Sequence, residues 1–345
     1  MSLSKTSREI VLDTFKMKKT ERIPVGVCLG GSWPFFIEGE PLEGLLHYPE
    51  KAARIFYEVN ERVDADFITV GTGATALILE GMGAEISFPK DGAPSIESIL
   101  AGSKSDIDRL DISRVFKTER VQWLKAVAEE TIKLNRCRRA LFVSGRAPFT
   151  LAGQLAGLES FTKSLYKDKQ FVKRLLEFTL ELSSSYYEFM LGADGLDGIF
   201  IADPSASGDV LSVRHFEEFA VPGLKSLGER LVQFKKPSLL HICGNITNRL
   251  HLLPHTGLDM ISVDSKVDMR KAREILSGRM GLAGNVHPVF VLEDLSSSEV
   301  AEKTRQCIAV AEGVGFMLLP GCDLSSRTPE ENVAAFVKTG HEWAA

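Results

Sequence analysis

His241 and Cys243 lie two residues apart after the apolar run Pro237-Ser238-Leu239-Leu240, and another cysteine, Cys322, follows Leu319-Pro320-Gly321. A β-strand turns successive side chains to opposite faces, so His241 and Cys243 project the same way and could grip one ion. Imidazole and thiolate suit Zn²⁺, and a catalytic zinc takes three protein ligands while a fourth position serves water or substrate. Two thiolates and one neutral imidazole cancel the charge of the ion. Such a site polarises water poorly but keeps a substrate thiol deprotonated and nucleophilic, so alkylation of sulfur is the chemistry this set favours.

Each residue also has a plainer reading. A His-x-Cys pair at a strand end is more often a buried polar residue beside a small hydrophobe. Cys28, at the end of an earlier apolar run, could close the site as a fourth, structural ligand. Cys137 and Cys307 read as ordinary residues in a charged loop and a helical stretch.

These side chains need a scaffold that aims them at one place. Eight short apolar runs, at 23–29, 67–70, 140–144, 198–202, 238–243, 260–263, 280–283 and 315–319, read as buried strands. Segments long and amphipathic enough for helices separate them, such as 170–191 with apolar Phe171, Leu175, Leu176, Phe178 and Leu180. Such alternation implies parallel strands. The expectation is an α/β chain forming one (β/α)8 TIM-barrel domain over 1–345, with an open doubly wound sheet as the alternative. An N-terminal helical extension precedes the first strand. An insertion is expected at 85–124, between strands two and three, around Pro89-Lys90-Asp91-Gly92-Ala93-Pro94. Thr328-Pro329-Glu330-Glu331 and the stretch from Ser296 to Glu299 read as capping boxes, and Asp268 as a cap.

In such barrels chemistry gathers at the C-terminal ends of the strands. Asp203, Asp264 and Asn285 end the fourth, sixth and seventh runs and are expected to bind or orient substrate, or simply to hydrogen-bond around the mouth; His287 follows close behind. Gly71-Thr72-Gly73-Ala74-Thr75-Ala76 matches the dinucleotide pattern G-x-G-x-x-A, with Asp91 about twenty residues on. Pro89, Gly92 and Pro94 break the place where the next strand would settle. A tight turn of small residues is the preferred reading.

Composition narrows the partners. Apolar residues are 44% and charged residues 25%, ordinary for a folded globular chain. A net charge of -5 with scattered Lys and Arg offers no basic stripe, so nucleic acid is not expected. Five irregularly spaced cysteines fit a reducing cytoplasm better than a disulfide framework. No apolar run reaches the roughly 18 to 20 residues of a membrane span, and the first 22 residues lack the apolar core of a secretion signal.

In order along the chain, the motifs resemble the uroporphyrinogen decarboxylase superfamily, and within it the methylcobamide:coenzyme M methyltransferase branch. The resemblance is carried by 8–24, Ala147-Pro148-Phe149-Thr150-Leu151-Ala152-Gly153-Gln154-Leu155, the stretch 198–208, His241-Ile242-Cys243-Gly244-Asn245, Gly284-Asn285-Val286-His287-Pro288 and Pro320-Gly321-Cys322-Asp323. It implies a (β/α)8 barrel and Zn²⁺ on His241, Cys243 and Cys322. It also implies methyl transfer between a methylated corrinoid and a thiol such as coenzyme M. The corrinoid would come on a separate protein, because no D-x-H-x-x-G motif is present. The metal-free decarboxylases are a poorer match. Their arginine-rich segment is replaced by Cys28-Leu29-Gly30-Gly31-Ser32-Trp33, the aspartate that gathers pyrrole N–H groups falls at Ala74, and their tyrosine falls at Gln154. A barrel that only binds a corrinoid protein is the third reading. Acceptor identity, direction and oligomeric state are not legible.

Overall fold

Side chains alternate along each strand of the main sheet, so these strands contribute to two apolar clusters, one on each side of the sheet. The computed structural model describes residues 5–27, 31–90, 92–276, 278–311 and 313–343. Its strands are β1 (Phe67–Val70), β2 (Ile86–Ser87), β3 (Ser95–Ile96), β4 (Ala140–Arg146), β5 (Gly198–Ala202), β6 (Ser238–Ile242), β7 (Met260–Val263), β8 (Gly281–Val286) and β9 (Phe316–Pro320). β1 and β4 to β9 pair in parallel in that order, with helices between them, forming a curled seven-stranded sheet.

Among the described residues, seven parallel strands stand where eight were expected. Of the run at 23–29, residues 23–27 are described and two of them bridge: Val25 pairs with Leu318 of β9 and Gly26 with Phe67 of β1, so this segment joins the two edges of the sheet. The Gly26 N–H donates to the Leu318 carbonyl at 3.1 Å, and the Asp66 N–H to the Val25 carbonyl at 2.8 Å. Space explains the glycine, since a Cβ on Gly26 would sit 2.6 Å from Leu319 Cδ2 and 2.8 Å from Phe67 Cδ1. Cys28 and Leu29 lie outside the described residues.

Leu141, Val143, Ile199, Ile201, Leu240, Ile242, Ile261 and Val263 pack toward the helices in the larger cluster. Their alternates, Phe67, Phe142, Phe200, Leu239, Met260, Ala283 and Met317, form the inner cluster together with Val11 and Phe15 of the N-terminal helix Ser7–Phe15. The Phe15 and Phe142 rings lie 5.2 Å apart, so this helix plugs the end of the sheet where the strands begin. Two residues further along the same side, apolar gives way to polar on five strands, at Thr69, Ser144, His241, Ser262 and Asn285, while β5 and β9 keep Ala202 and Leu319. The site therefore sits on a packed apolar floor, where truncating one large side chain costs about 3–5 kcal/mol.

The segment 85–124 holds the antiparallel pair β2–β3 and the short helices Lys104–Ile107 and Ile112–Val115. At the helix starts, Glu299 accepts the Ser296 N–H at 3.0 Å and Asp268 accepts the Lys271 N–H at 3.0 Å. The box expected at Thr328 does not form, because the helix Glu330–Glu342 starts without a side-chain cap. The Thr328 hydroxyl is buried without a partner, its carbonyl accepts the Trp33 Nε1–H at 3.0 Å, and Glu330 is drawn to Arg62. Among the described residues no helix is long and apolar enough to cross a membrane.

Candidate metal centre

β6 carries Leu239 into the inner cluster, then His241 on the same side, and Cys243 just past the strand end. The His241 Nε2 lies 3.3 Å from the Cys243 sulfur, the Cys243 and Cys322 sulfurs are 3.7 Å apart, and all three ligand atoms fall within 4.8 Å of one another. A tetrahedral ion with Zn–S bonds of about 2.3 Å holds two sulfurs about 3.8 Å apart. A disulfide would need about 2.05 Å. The spacing thus fits two thiolates sharing an ion. Its chemistry would be that of a soft divalent metal with three protein ligands and a fourth position for an incoming group.

Local contacts position each of the three side chains. Ser262 of β7 is in register with His241, and its Oγ lies 3.1 Å from Nδ1, which leaves Nε2 for the sulfurs. The contact between the two sulfurs holds Cys322 below the usual thiol range and, with burial, pushes Cys243 up.

Cys322 follows β9, and β7 and β8 intervene between β9 and β6. It reaches the histidine because Gly321 lies against the loop after β7. The Gly321 N–H donates to the Val286 carbonyl at 2.8 Å, and a Cβ there would stand 2.5 Å from the Ser265 nitrogen.

Asp264 and Asn285 hold the loops around the ligands. The Asp264 carboxylate accepts N–H bonds from Gly244 and Lys266, each at 2.9 Å. Gly244 has φ +74°, and a Cβ on it would collide with Ser207 Oγ at 2.3 Å, so this tight junction beside Cys243 requires glycine. The Asn285 amide donates to the carbonyls of Asp264 at 3.0 Å and Val267 at 2.7 Å, and its Oδ1 faces the Cys307 thiol at 3.6 Å.

Asp203 differs. It is fully buried, its N–H donates to the His241 carbonyl at 2.8 Å, and its Oδ1 accepts the Thr150 N–H and hydroxyl at 3.0 and 2.7 Å. Its Oδ2 has no partner. Burial raises its pKa to about 7 against the opposing pull of Thr150 and Arg146.

The remaining candidates fall elsewhere. His287 Nδ1 accepts the Val289 and Phe290 N–H groups in a turn. Cys137 is exposed, and burial pushes the Cys307 thiol up to about 11. Gly71, at φ +114°, would place a Cβ 2.6 Å from the Ser144 carbonyl oxygen, so its turn is demanded by close packing. Asp91 lies outside the described residues. Ala74 and Gln154 line a cavity at the strand ends.

Ser262, Gly321 and Arg146 are residues that the motifs did not single out. A period-two reading of β7 places Ser262 on the side of Met260, and a glycine before a candidate ligand signals close approach. The apolar run 140–144 stopped short of Arg146, which still belongs to β4.

The sequence profile of the uroporphyrinogen decarboxylase (URO-D) family matches residues 6–343. Methylcobamide:CoM methyltransferase MtbA of Methanosarcina acetivorans is 33% identical over 191 residues, which are 55% of this chain and 55% of that protein. The chain thus spans about half the length of that relative. Methylcobamide:CoM methyltransferase MtaA of Methanosarcina barkeri is 30% identical over 277 residues, 77% of each chain. Among solved structures, a methyltransferase from Methanosarcina mazei has the same fold, with a TM-score of 0.87 over 98% of both chains at 24% identity. From its sixth residue to its 343rd, this chain is a member of the uroporphyrinogen decarboxylase (URO-D) family.

Proposed function

We propose that the chain is a methyltransferase acting between a methylated corrinoid and a small thiol such as coenzyme M, with Zn²⁺ on His241, Cys243 and Cys322. The carrying observation is the 3.7 Å separation of the two sulfurs beside His241 Nε2, the spacing of thiolates around one tetrahedral ion. Relatives named methylcobamide:CoM methyltransferases supply the substrate classes.

Bound there, the ion would lower the pKa of a substrate thiol and keep its sulfur nucleophilic near neutral pH. The chain's own groups do the positioning. Ser262 keeps Nε2 of His241 aimed at the sulfurs, while Asp264 and Asn285 fix the loops that carry Cys243 and face Gly321. Asp203, whose Oδ2 lacks a partner, is the substrate-orienting candidate of the three polar strand ends. The cavity at the strand ends is about 80 Å³, far smaller than a corrin ring needs, which supports a corrinoid presented by a separate protein at the mouth. In this reading segment 24–26 acts as the eighth stave of a single barrel domain.

The test has two arms. Protein purified without added metal should carry near one zinc per chain and lose it in His241→Ala, Cys243→Ala and Cys322→Ala; retention in any variant removes that ligand. Incubation with methylcobalamin and coenzyme M should change the cobalamin spectrum as the methyl group leaves. Turnover of uroporphyrinogen would restore the lyase reading, and complex formation with a corrinoid protein without methyl loss would restore the non-catalytic one.

A further inference from the structure

Arg249 is only 1% exposed, on the segment Thr247–Thr256 that follows the Cys243 loop. A buried arginine is ordinarily paired with a carboxylate. Here the donors go to neutral oxygens: Nη1 to the carbonyls of Ala206 and Ser207, each at 3.4 Å, Nη2 to the Leu211 carbonyl at 2.8 Å, and Nε to Asn248 Oδ1 at 3.2 Å. The guanidinium also lies over the Phe216 ring at 5.1 Å. Burial pulls its pKa down, and the acid whose charge pulls it back up, Asp209, bonds to Lys266 at 2.6 Å instead.

Taking a cation out of water is costly, and a fold that carries such a cost tends to do so beside a functional site. Three of the four acceptors belong to 206–211, the loop after β5, so the guanidinium fastens that loop to the chain after β6. The loop in turn presses on the turn that carries Cys243. A Cβ on Gly208 would stand 1.7 Å from the Asn245 carbonyl oxygen and 3.5 Å from Arg249 Nη2, and one on Gly244 would stand 2.7 Å from Asp209 Oδ2. From the other side the Asp264 carboxylate accepts the Gly244 N–H, and Lys266 of the same loop reaches across to Asp209. The turn after Cys243 is thus clasped between two loops, and Arg249 sets the position of one of them.

Cys243 needs such a clasp because it lies beyond Ile242, the last residue of β6 paired with β7. Strand pairing places His241; loop contacts must place Cys243. A functional constellation tolerates errors of only about 0.5 Å, and a rigid fork bonded to three carbonyls of one loop restrains it more than a single bond could.

We infer that Arg249 is a positioning residue of the metal centre, fixing the Cys243 sulfur relative to His241 and Cys322 by holding 206–211 against Gly244 and Asn245. The inference rests on the reading of those three residues as metal ligands.

Cobalt substitution of the full chain tests it, because the absorption bands of a Co²⁺–thiolate centre follow the geometry of its sulfurs, while competition with a chelator reads zinc affinity. Arg249→Met should weaken zinc binding about 10- to 100-fold and shift the cobalt bands. Arg249→Lys, which keeps the charge but not the fork, should recover part of that loss. Gly208→Ala leaves the guanidinium in place yet forces the loop off Asn245, so it should weaken zinc binding and shift the bands as well. Phe15→Ala, at the opposite end of the sheet, is the control: it destabilises the fold and should leave bands and zinc affinity as in wild type. If Arg249→Met does not fold, the other two variants decide. Wild-type bands and affinity in Arg249→Lys and Gly208→Ala overturn the inference, as does an equal change in Phe15→Ala. Wild-type protein that binds neither metal would instead bring down the metal-centre reading, and the inference with it.

Discussion

The sulfurs of Cys243 and Cys322 lie 3.7 Å apart although 79 residues separate them along the chain. Two strands intervene between those that carry them, so the approach depends on the chain after β9 crossing the ends of its neighbours. Gly321 makes the crossing by lying against the Ser265 backbone, where no side chain fits.

Gly321→Ala should therefore separate the sulfurs. The added methyl must displace Ser265 or the Cys322 backbone, at a cost of about 1–3 kcal/mol, and zinc per chain should fall with it. Denaturant unfolding and metal analysis read both effects. Full metal content with unchanged stability would show that the tight contact is not what delivers Cys322.

Removing the hydroxyl of Ser262 tests the orientation of His241 without touching a ligand. Ser262→Ala should weaken zinc binding about 10- to 100-fold, as measured by competition with a chromogenic chelator, and leave the fold intact. An unaltered affinity would mean that the strand alone orients the ring.

Asp264 separates two roles by two readouts. If its carboxylate clamps the loops, Asp264→Ala leaves the Gly244 and Lys266 N–H groups unpaired and costs about 1–3 kcal/mol, which is the expected result. A variant of wild-type stability whose only defect is a raised KM for the thiol would instead make Asp264 a substrate contact.

Acid should loosen the seam between the first and last strands. Asp66 is buried, which raises its pKa, but the paired Arg22 bonds at 2.6 Å and the His341 contact at 2.8 Å outweigh burial and hold it well below the usual carboxylate range. The same carboxylate accepts the Val25 N–H at 2.9 Å. Because the folded pKa lies below the unfolded value of about 3.9, this stabilisation is fully present above about pH 4 and is lost as pH falls toward the folded value. Asp66→Asn should cost about 3 kcal/mol at neutral pH, with the gap to wild type constant down to about pH 5 and narrowing below 4. A gap that stays constant into strong acid, or is absent at pH 7, would contradict this assignment in denaturant titrations.

Local rules made part of this protein legible. The apolar runs at 67–70, 198–202 and 260–263 became strands with those bounds, since a continuous apolar stretch bounded by polar residues has few other places to go. In the described part of the run at 23–29, Val25 and Gly26 bridge to β9 and β1 and the Pro24 carbonyl accepts the Leu318 N–H, while Cys28 and Leu29 lie outside the described residues. Thr328 does not cap: its hydroxyl is buried without a partner, while its carbonyl accepts from Trp33, nearly 300 residues away in the chain, a contact no local pattern records.

By itself the sequence determined that His241 and Cys243 face the same way, because a strand's period of two is a property of the backbone at that spot. Only the tertiary structure decided that Cys322 joins them, that Ser262 meets the ring at Nδ1, and that Arg146 and Gln154 meet at one cavity. Those relationships come from strand order, register and the space left by a missing Cβ. Each is a contact between residues far apart in the chain, and spacing along the chain does not encode it.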